Sequence, residues 1–361
     1  MIEQVATAFE RKDYHTAAKL LKQLLKETPD NPWVQFYLAR LHEASGKRQD
    51  AEEIYRQLLR DTTNTKIVVQ ARESLRRLQE IEQEERIRAI SQATAQASDT
   101  KLGVLVLEPL ASELKTVAAG KFAQIMQLDA YTARLILPSR GWRLYRTGQV
   151  GELRFYGEQL QQAGIPCFWT TIADIQKIQV FQVDYFQENT SKVTVVCRNE
   201  ANQLGSLTFD WSEVKARVLG LLPIFEQVVD IDARRKLERK TQTQDYVQFC
   251  DLHLTDRNCI LRLYDNGYEF QQGLEIISQV SQNTIRINWN SLLHWLEQQM
   301  PQVKVWSDFT HFADTVLDQT EMLSQIQSHV HLFRREQTNW DSAFHLYSGL
   351  VFVKGVMDSG L

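Results

Sequence analysis

The chain has 361 residues, of which 43% are hydrophobic and 24% charged, which predicts two or three globular domains and excludes large-scale disorder. Its formal net charge of −4 gives no overall attraction to a polyanion, so no nucleic-acid partner is expected. The most apolar segment, residues 218–229, is too short for a transmembrane helix and contains Pro223, Glu226 and Gln227.

The N-terminal residues and the cysteines indicate the compartment. The first twenty residues carry both charge signs and lack the basic-then-apolar layout of a secretory signal, so a cytoplasmic protein is expected. The cysteines form no C-x-x-C pair, which favours free thiols in a reducing compartment over a disulfide framework or a zinc site. They are Cys167, Cys197, Cys250 and Cys259. Neither a metal nor a cofactor is predicted.

An internal repeat opens the chain. Residues 12–29 align with residues 46–63 at an offset of 34, the period of a tetratricopeptide unit. Ala17 aligns with Ala51, so a small residue recurs where two helices approach each other. The segment RKDYHTAAKLLKQLLKETPDNP closely resembles the second half of a tetratricopeptide repeat, with Pro29 closing it. This resemblance to the tetratricopeptide family implies paired antiparallel helices.

A third helix is predicted over residues 65–97, where apolar residues recur at helical spacing. We interpret it as the cap of the array followed by a stalk, so that the first predicted domain covers residues 1–97. Arrays normally need about three repeats to bury their apolar faces. Two repeats and one long helix must therefore bury part of their apolar face against the next domain or against a partner. Either case favours a scaffolding role.

The family resemblance also implies a binding site. In tetratricopeptide proteins, ligands lie on the concave side against the first helix of each repeat. Here that implies partner binding by Ile2, Ala6, Phe9, Trp33, Phe36, Arg40 and Glu43. The lysine and asparagine clamp for a C-terminal carboxylate is absent, so the groove suits an apolar peptide or a partner helix. Packing of Trp33 and Phe36 against the neighbouring helix is the alternative, and the sequence leaves both open.

Residues 101–174 are predicted to form a small α/β domain in which strands and helices alternate. Strands are predicted at 104–107, 133–138 and 167–171, and helices at 117–128 and 151–163. The segment WRLYRTG, between Gly141 and Gly148, is interpreted as having no helix directly behind a strand. Together with the absence of a G-x-G-x-x-G motif, this argues against a phosphate-binding loop.

Residues 175–361 are predicted to be rich in antiparallel strands, with a helix at 290–299 and further helices near the C-terminus. By element order alone they resemble a pleckstrin-homology-like barrel. Residues 344–354 are predicted as a closing strand or a buried helix. A basic loop is predicted between the strands at residues 233–245, and in such a barrel it suits an anionic lipid; a solvated loop or helix end is the other interpretation. Its basic residues are Arg234, Arg235, Lys236, Arg239 and Lys240.

These patterns define a multidomain α plus α+β protein and three hypotheses for its function. The first is a non-catalytic, cytoplasmic, bacterial-type adaptor or assembly factor that binds another protein through the tetratricopeptide groove. The second is a peripheral membrane regulator that binds anionic lipid through the basic loop. The third is an enzyme of unrecognised type, which requires that several histidines converge with a carboxylate in one pocket. The candidates are His253, His311, His329 and His331.

Overall fold

The computed structural model describes residues 1–231, 237–276, 284–332 and 338–360, without the side chains of residues 227–231, 237–239 and 241. The chain divides into two compact units, Met1–Gln92 and Ala93–Leu361. Within the described ranges, no helix combines the length and the apolar character needed to cross a membrane.

The first unit consists of helices. They are α1 (Ile2–Glu10), α2 (Tyr14–Glu27), α3 (Pro32–Ala44), α4 (Arg48–Asp61) and α5 (Thr65–Ala93), which ends at the boundary between the units. The carboxylate of Asp13 accepts a hydrogen bond from the backbone N–H of Thr16 and so caps α2. Asn31 caps α3 in the same way, with Pro32 at the first helical position, where its missing N–H costs nothing.

The repeat positions have the same role in both hairpins. Ala17 and Ala51 are both 0% exposed, which lets the two helices of each hairpin approach closely. Leu21 and Tyr55, a second aligned pair, are also buried and fill the two apolar clusters of this unit. The prediction of tetratricopeptide-type hairpins at the N-terminus is confirmed. The third helix ends at Ala93 rather than near residue 97.

The second unit begins with a three-stranded antiparallel sheet in the order β2-β1-β3. Its strands are β1 (Leu102–Leu107), β2 (Arg143–Gln149) and β3 (Cys167–Thr171), and its helices are α6 (Ser112–Met126), α7 (Ala130–Ile136), α8 (Val150–Gln162) and α9 (Ile172–Gln176). Two predictions were wrong here. The predicted strand 133–138 lies mostly in α7, because the Asp129 carboxylate caps a helix there. The WRLYRTG segment does contain a strand, β2, which leads directly into α8. The strand was not predicted because most of its residues are polar.

A seven-stranded mixed sheet follows, in the order β10-β7-β8-β9-β4-β5-β6. Its strands are β4 (Gln179–Asn189), β5 (Val193–Arg198), β6 (Leu204–Phe209), β7 (Ala216–Ile231), β8 (Leu237–Leu254), β9 (Cys259–Tyr264) and β10 (Lys304–Trp306). The pairs β4/β9 and β7/β10 are parallel. Within the described residues β10 and β6 are the two edges of the sheet, so the predicted closed, pleckstrin-homology-like barrel is not formed.

The C-terminal helices are α10 (Ile285–Gln299), α11 (Phe309–Ala313), α12 (Thr320–Leu323) and α13 (Asn339–Ser359). Helix α13 is buried on all sides over residues 343–352, where most of its side chains are apolar. Of the two predictions for residues 344–354, the buried helix is therefore correct. One apolar cluster joins α13 with Val104 and Phe168 of the small sheet and with Val218 and Phe249 of the large one. The division into three domains stays a prediction.

Two glycines give opposite predictions for stability. A Cβ at Gly220 of β7 would lie 2.4 Å from the ring of buried Phe344 in α13, so we expect Gly220→Ala to lower the free energy of unfolding by about 1–3 kcal/mol through overpacking. A Cβ at Gly120 of α6 would meet nothing within 4 Å, so Gly120→Ala should raise it by about 0.5–1 kcal/mol. Urea denaturation of both variants measures these changes. Equal changes in the free energy of unfolding would contradict the close packing of Gly220 against Phe344 and the open space beside Gly120.

Candidate protein-binding site

Aromatic rings connect the helices of the repeat array. The ring of Tyr37 in α3 stacks on Phe9 of α1 with 5.4 Å between centroids, and on Trp33 with 6.2 Å. Phe36 lies 5.8 Å from Tyr55 of α4. Phe9 and Phe36 are each only 4% exposed, whereas Trp33 and Tyr37 are half-buried and keep some accessible surface. The buried rings of Phe9 and Phe36 thus support the partly exposed rings of Trp33 and Tyr37, which form the accessible edge of α3.

Arg40 lies beside this edge. Its guanidinium carbon is 4.8 Å from the centroid of the Phe9 ring, a cation–π distance. Burial raises the pKa of the Tyr37 phenol; Arg40 opposes the rise and Glu10 adds to it, which places both charges near the ring. Trp33, Tyr37 and Arg40 thus combine two partly exposed aromatic rings with one cation. Sequence reasoning missed Tyr37, although it lies one helical turn after Trp33.

Glu43 has a structural role inside the array. Its carboxylate accepts hydrogen bonds of 3.1 and 2.9 Å to one oxygen from Nε and a terminal nitrogen of Arg77 in α5. The hydroxyl of Tyr55 in α4 donates to its other oxygen at 3.2 Å. Glu43 therefore ties α3 to α4 and α5, and a partner would have to compete with these bonds to reach it.

The remaining predicted groove residues lie on α1. Ile2 and Ala6 are half-buried, and Ile2 packs against the apolar cluster that contains Phe9. Of the seven predicted residues, Phe9 and Phe36 are buried and Glu43 is engaged within the array. The others keep accessible surface: Ile2, Ala6, Trp33 and Arg40.

The predicted anion-binding residues fall largely outside the described part of the chain. Arg234, Arg235 and Lys236 lie outside it, as does the side chain of Arg239. Lys240 is exposed on β8, opposite Val228 of β7. Residues 237–245 belong to strand β8 rather than to the predicted loop.

A buried polar network lies in the second unit. Arg262 of β9 and Asp251 of β8 form a two-bond ion pair at 2.9 and 2.7 Å, with side chains 1% and 0% exposed. The Ser348 hydroxyl donates to Asp251 at 2.6 Å, and Nε2 of His253 lies 2.9 Å from the same hydroxyl. The ring of His345 lies close by, and both of its nitrogens are buried without a hydrogen-bond partner. The sequence indicated His253 but not the rest of this network.

The candidate histidines come together only in part. His329 lies 4.7 Å from His345 between ring centroids, and its Nδ1 is 3.5 Å from a carboxylate oxygen of Glu200. His329 and His331 line one pocket of about 460 Å³ together with Glu200 and Arg198. His311 is exposed on α11, outside the pocket and the network. In the ranges that the structure covers, no group of three His, Cys, Asp or Glu side chains is placed to hold a metal ion.

Burial keeps these histidines neutral. It lowers the pKa of His253 to about 4, with Arg262 adding to the fall and Asp251 opposing it. It lowers the pKa of His329 to about 4 as well, and moves that of His345 well below its ordinary value. A buried neutral imidazole acts as a packing group of the core, and that of His253 also contributes a hydrogen bond to Ser348. The geometry therefore favours a structural role for His253 and His345.

The helical hairpins define the first unit as a helical repeat array. The family model described as Tetratricopeptide repeat matches residues 8–75, which run from the end of α1 into α5. No curated protein and no solved structure was found to match the chain. The matched repeat indicates a role in protein–protein interaction.

Proposed function

We propose that the chain is a non-catalytic adaptor or assembly factor whose tetratricopeptide array holds a segment of another protein. The observation that carries this proposal is the accessible edge formed by Trp33, Tyr37 and Arg40 on α3, supported from behind by buried Phe9 and Phe36. Partly exposed aromatic and arginine side chains on a rigid support are the residues that most often supply binding energy at protein interfaces.

The chemistry of the edge suggests which segment it binds. The parts of the Trp33 and Tyr37 rings that remain exposed offer apolar surface to one or two apolar side chains of a helix or an extended peptide. Arg40 is held by the ring of Phe9 and has donors left for a carboxylate or a backbone carbonyl of the partner. The partner class is therefore an amphipathic protein segment that carries an acidic or carbonyl group beside its apolar residues.

Affinity capture from the native cell lysate tests the proposal. The intact chain is compared with the variant Trp33→Ala, Tyr37→Ala, Arg40→Ala, in which buried Phe36 stays in place to preserve the fold. We expect the variant to bind the captured partner at least about tenfold more weakly, because hot-spot side chains each contribute roughly 2 kcal/mol or more.

A matched control carries three substitutions on exposed positions of α2 and α4: Lys19→Ala, Lys22→Ala and Arg60→Ala. It should retain the partner, and circular dichroism should show unchanged helix content in both variants. Equal recovery of the partner by the intact chain and the α3 variant would overturn the assignment of the binding face.

A further inference from the structure

Four large apolar side chains are exposed on helices α6 and α7. They are Leu114 and Val117 on α6, 59% and 65% exposed, and Tyr131 and Leu135 on α7, 74% and 61% exposed. Tyr131 and Val117 are the two most exposed large hydrophobic side chains in the described part of the chain. Exposure this high means that the side chains project from the surface instead of lining a groove.

Helical spacing places each pair on an outward face. On α6 the buried side is formed by Ala119, Phe122 and Met126, and Val117 points away from it. On α7 the buried residue is Ala133, and Tyr131 and Leu135, four residues apart, share the opposite side. Both helices thus present apolar residues to solvent on the side away from the core.

The two helices form an antiparallel hairpin that joins these pairs. The backbone N–H of Leu110, just before α6, donates to the carbonyl of Pro138, just after α7, at 3.0 Å. The ammonium of Lys115 donates to the hydroxyl of Ser139 at 3.0 Å. The first turns of α6 therefore lie beside the end of α7, which sets Leu114 and Val117 level with Leu135. Large apolar side chains exposed close together on a surface commonly mark an interaction site.

The hairpin also carries an excess of basic residues. Residues 111–141 contain four cations and two carboxylates, in a chain whose net charge is −4. Lys115 and Lys121 donate to neutral oxygens rather than to carboxylates, and no ion pair to Arg134 or Arg140 occurs among the described residues. Of the two carboxylates, Glu113 lies in the first turn of α6, and Asp129 is occupied as the cap of α7. The hairpin is thus a local basic and apolar surface on an acidic protein.

We propose that the α6–α7 hairpin is a peripheral docking surface for an anionic lipid layer. Projecting apolar side chains with a rim of lysine and arginine are what a helix lying in a membrane interface presents, with the apolar groups at the headgroup boundary and the cations on the headgroups. The deformable lipid layer can accept projecting side chains for which a rigid protein partner would need matching pockets. The surface differs from the basic loop considered above, and it lies outside the repeat array.

Co-sedimentation with vesicles tests the proposal on the full chain. We expect binding to vesicles of phosphatidylglycerol mixed with phosphatidylcholine, and little to phosphatidylcholine alone. Arg134→Glu with Arg140→Glu should weaken binding at least about tenfold, because each basic residue near an anionic surface contributes about fivefold. Leu114→Ser with Tyr131→Ser should weaken it as well, and added salt should weaken binding of the intact chain.

Two matched controls keep the result specific. Lys19→Glu with Lys22→Glu repeats the charge change on α2, and Leu221→Ser with Tyr246→Ser removes exposed apolar groups from β7 and β8. Both controls should bind as the intact chain does. If the hairpin variants bind vesicles as strongly as the intact chain does, or if binding does not require anionic lipid, the proposal is overturned.

A fluorescent probe distinguishes lipid from protein as the occupant. Val117→Cys is labelled with an environment-sensitive dye; the four native thiols are buried, which raises their pKa to about 11 or 12 and leaves them unreactive. A blue shift with anionic vesicles supports the proposal. A shift with polyglutamate but with neither vesicle would show that the surface binds acidic protein, and the lipid assignment would fail.

Discussion

Replacing Arg262 with methionine is expected to lower the free energy of unfolding of the second unit by about 3–5 kcal/mol. The substitution keeps most of the side-chain volume but leaves the Asp251 carboxylate buried, with the hydroxyl of Ser348 as its remaining donor. It also removes the donor to the backbone carbonyl of Ser328 at 2.8 Å, so a second buried group loses its partner. An unpaired buried charge costs far more than the pair contributes.

Urea denaturation followed by tryptophan fluorescence measures this effect, because seven of the eight tryptophans lie in the second unit. The control is Lys177→Met, which removes an ion pair to Asp174 whose side chains are 67% and 46% exposed. Exposed pairs contribute about 0–1 kcal/mol, so the control should unfold almost as the intact chain does. A loss below about 1 kcal/mol for Arg262→Met would contradict the buried network.

Acid is expected to destabilise the second unit before most carboxylates titrate. In the folded state, burial lowers the pKa of His253 from 6.5 to about 4, and that of His345 shifts in the same direction. The unfolded chain therefore binds more protons than the folded chain between about pH 6.5 and 4, and stability falls as the pH falls through that window. For His253 alone the loss is on the order of 3 kcal/mol. Above about pH 6.5 this contribution is fully present.

Urea midpoints at pH 7 and pH 5 test the acid effect. His345→Phe removes a buried imidazole whose two nitrogens have no hydrogen-bond partner, so it should leave stability at pH 7 unchanged or higher and make the pH dependence shallower. The control His15→Phe changes an exposed histidine of the first unit, so the pH dependence measured for the second unit should not change. Equal urea midpoints at the two pH values in the intact chain would contradict the claim that burial keeps His253 and His345 neutral in the folded state.

The repeat array could be predicted from the sequence because its information is local. The alignment of Ala17 with Ala51 depends on neighbouring helices only, and both residues are buried as the period requires. Strand β2 escaped prediction because RLYRTGQ is mostly polar, although it pairs with β1 along its length. The strand order of the large sheet was not predicted either, because its parallel pairs join strands as far apart in the sequence as β7 and β10. Pairings over such separations leave no local pattern.

The accessible edge of α3 could be predicted from the sequence, whereas the buried polar network of the second unit could not. Trp33 and Arg40 were predicted from the repeat register, and Tyr37 was recognisable in principle from its spacing on α3. The buried network was not predictable, because Asp251, Arg262 and Ser348 come from β8, β9 and α13 and meet only in the folded core. The sequence offered His329 and His331 as candidates, and they do share a pocket, but it did not indicate that the ring of His329 lies against His345 of α13.

Site-specific photocrosslinking tests the proposed binding face most directly. A benzoylphenylalanine at position 33 replaces Trp33 with a side chain of similar size on the accessible edge of α3, and the same residue at Lys22 of α2 serves as the control. Irradiation in the native lysate should give a covalent adduct with a partner protein from position 33 and none from position 22. Equal adducts from both positions, or none from position 33, would contradict the assignment of protein binding to this face.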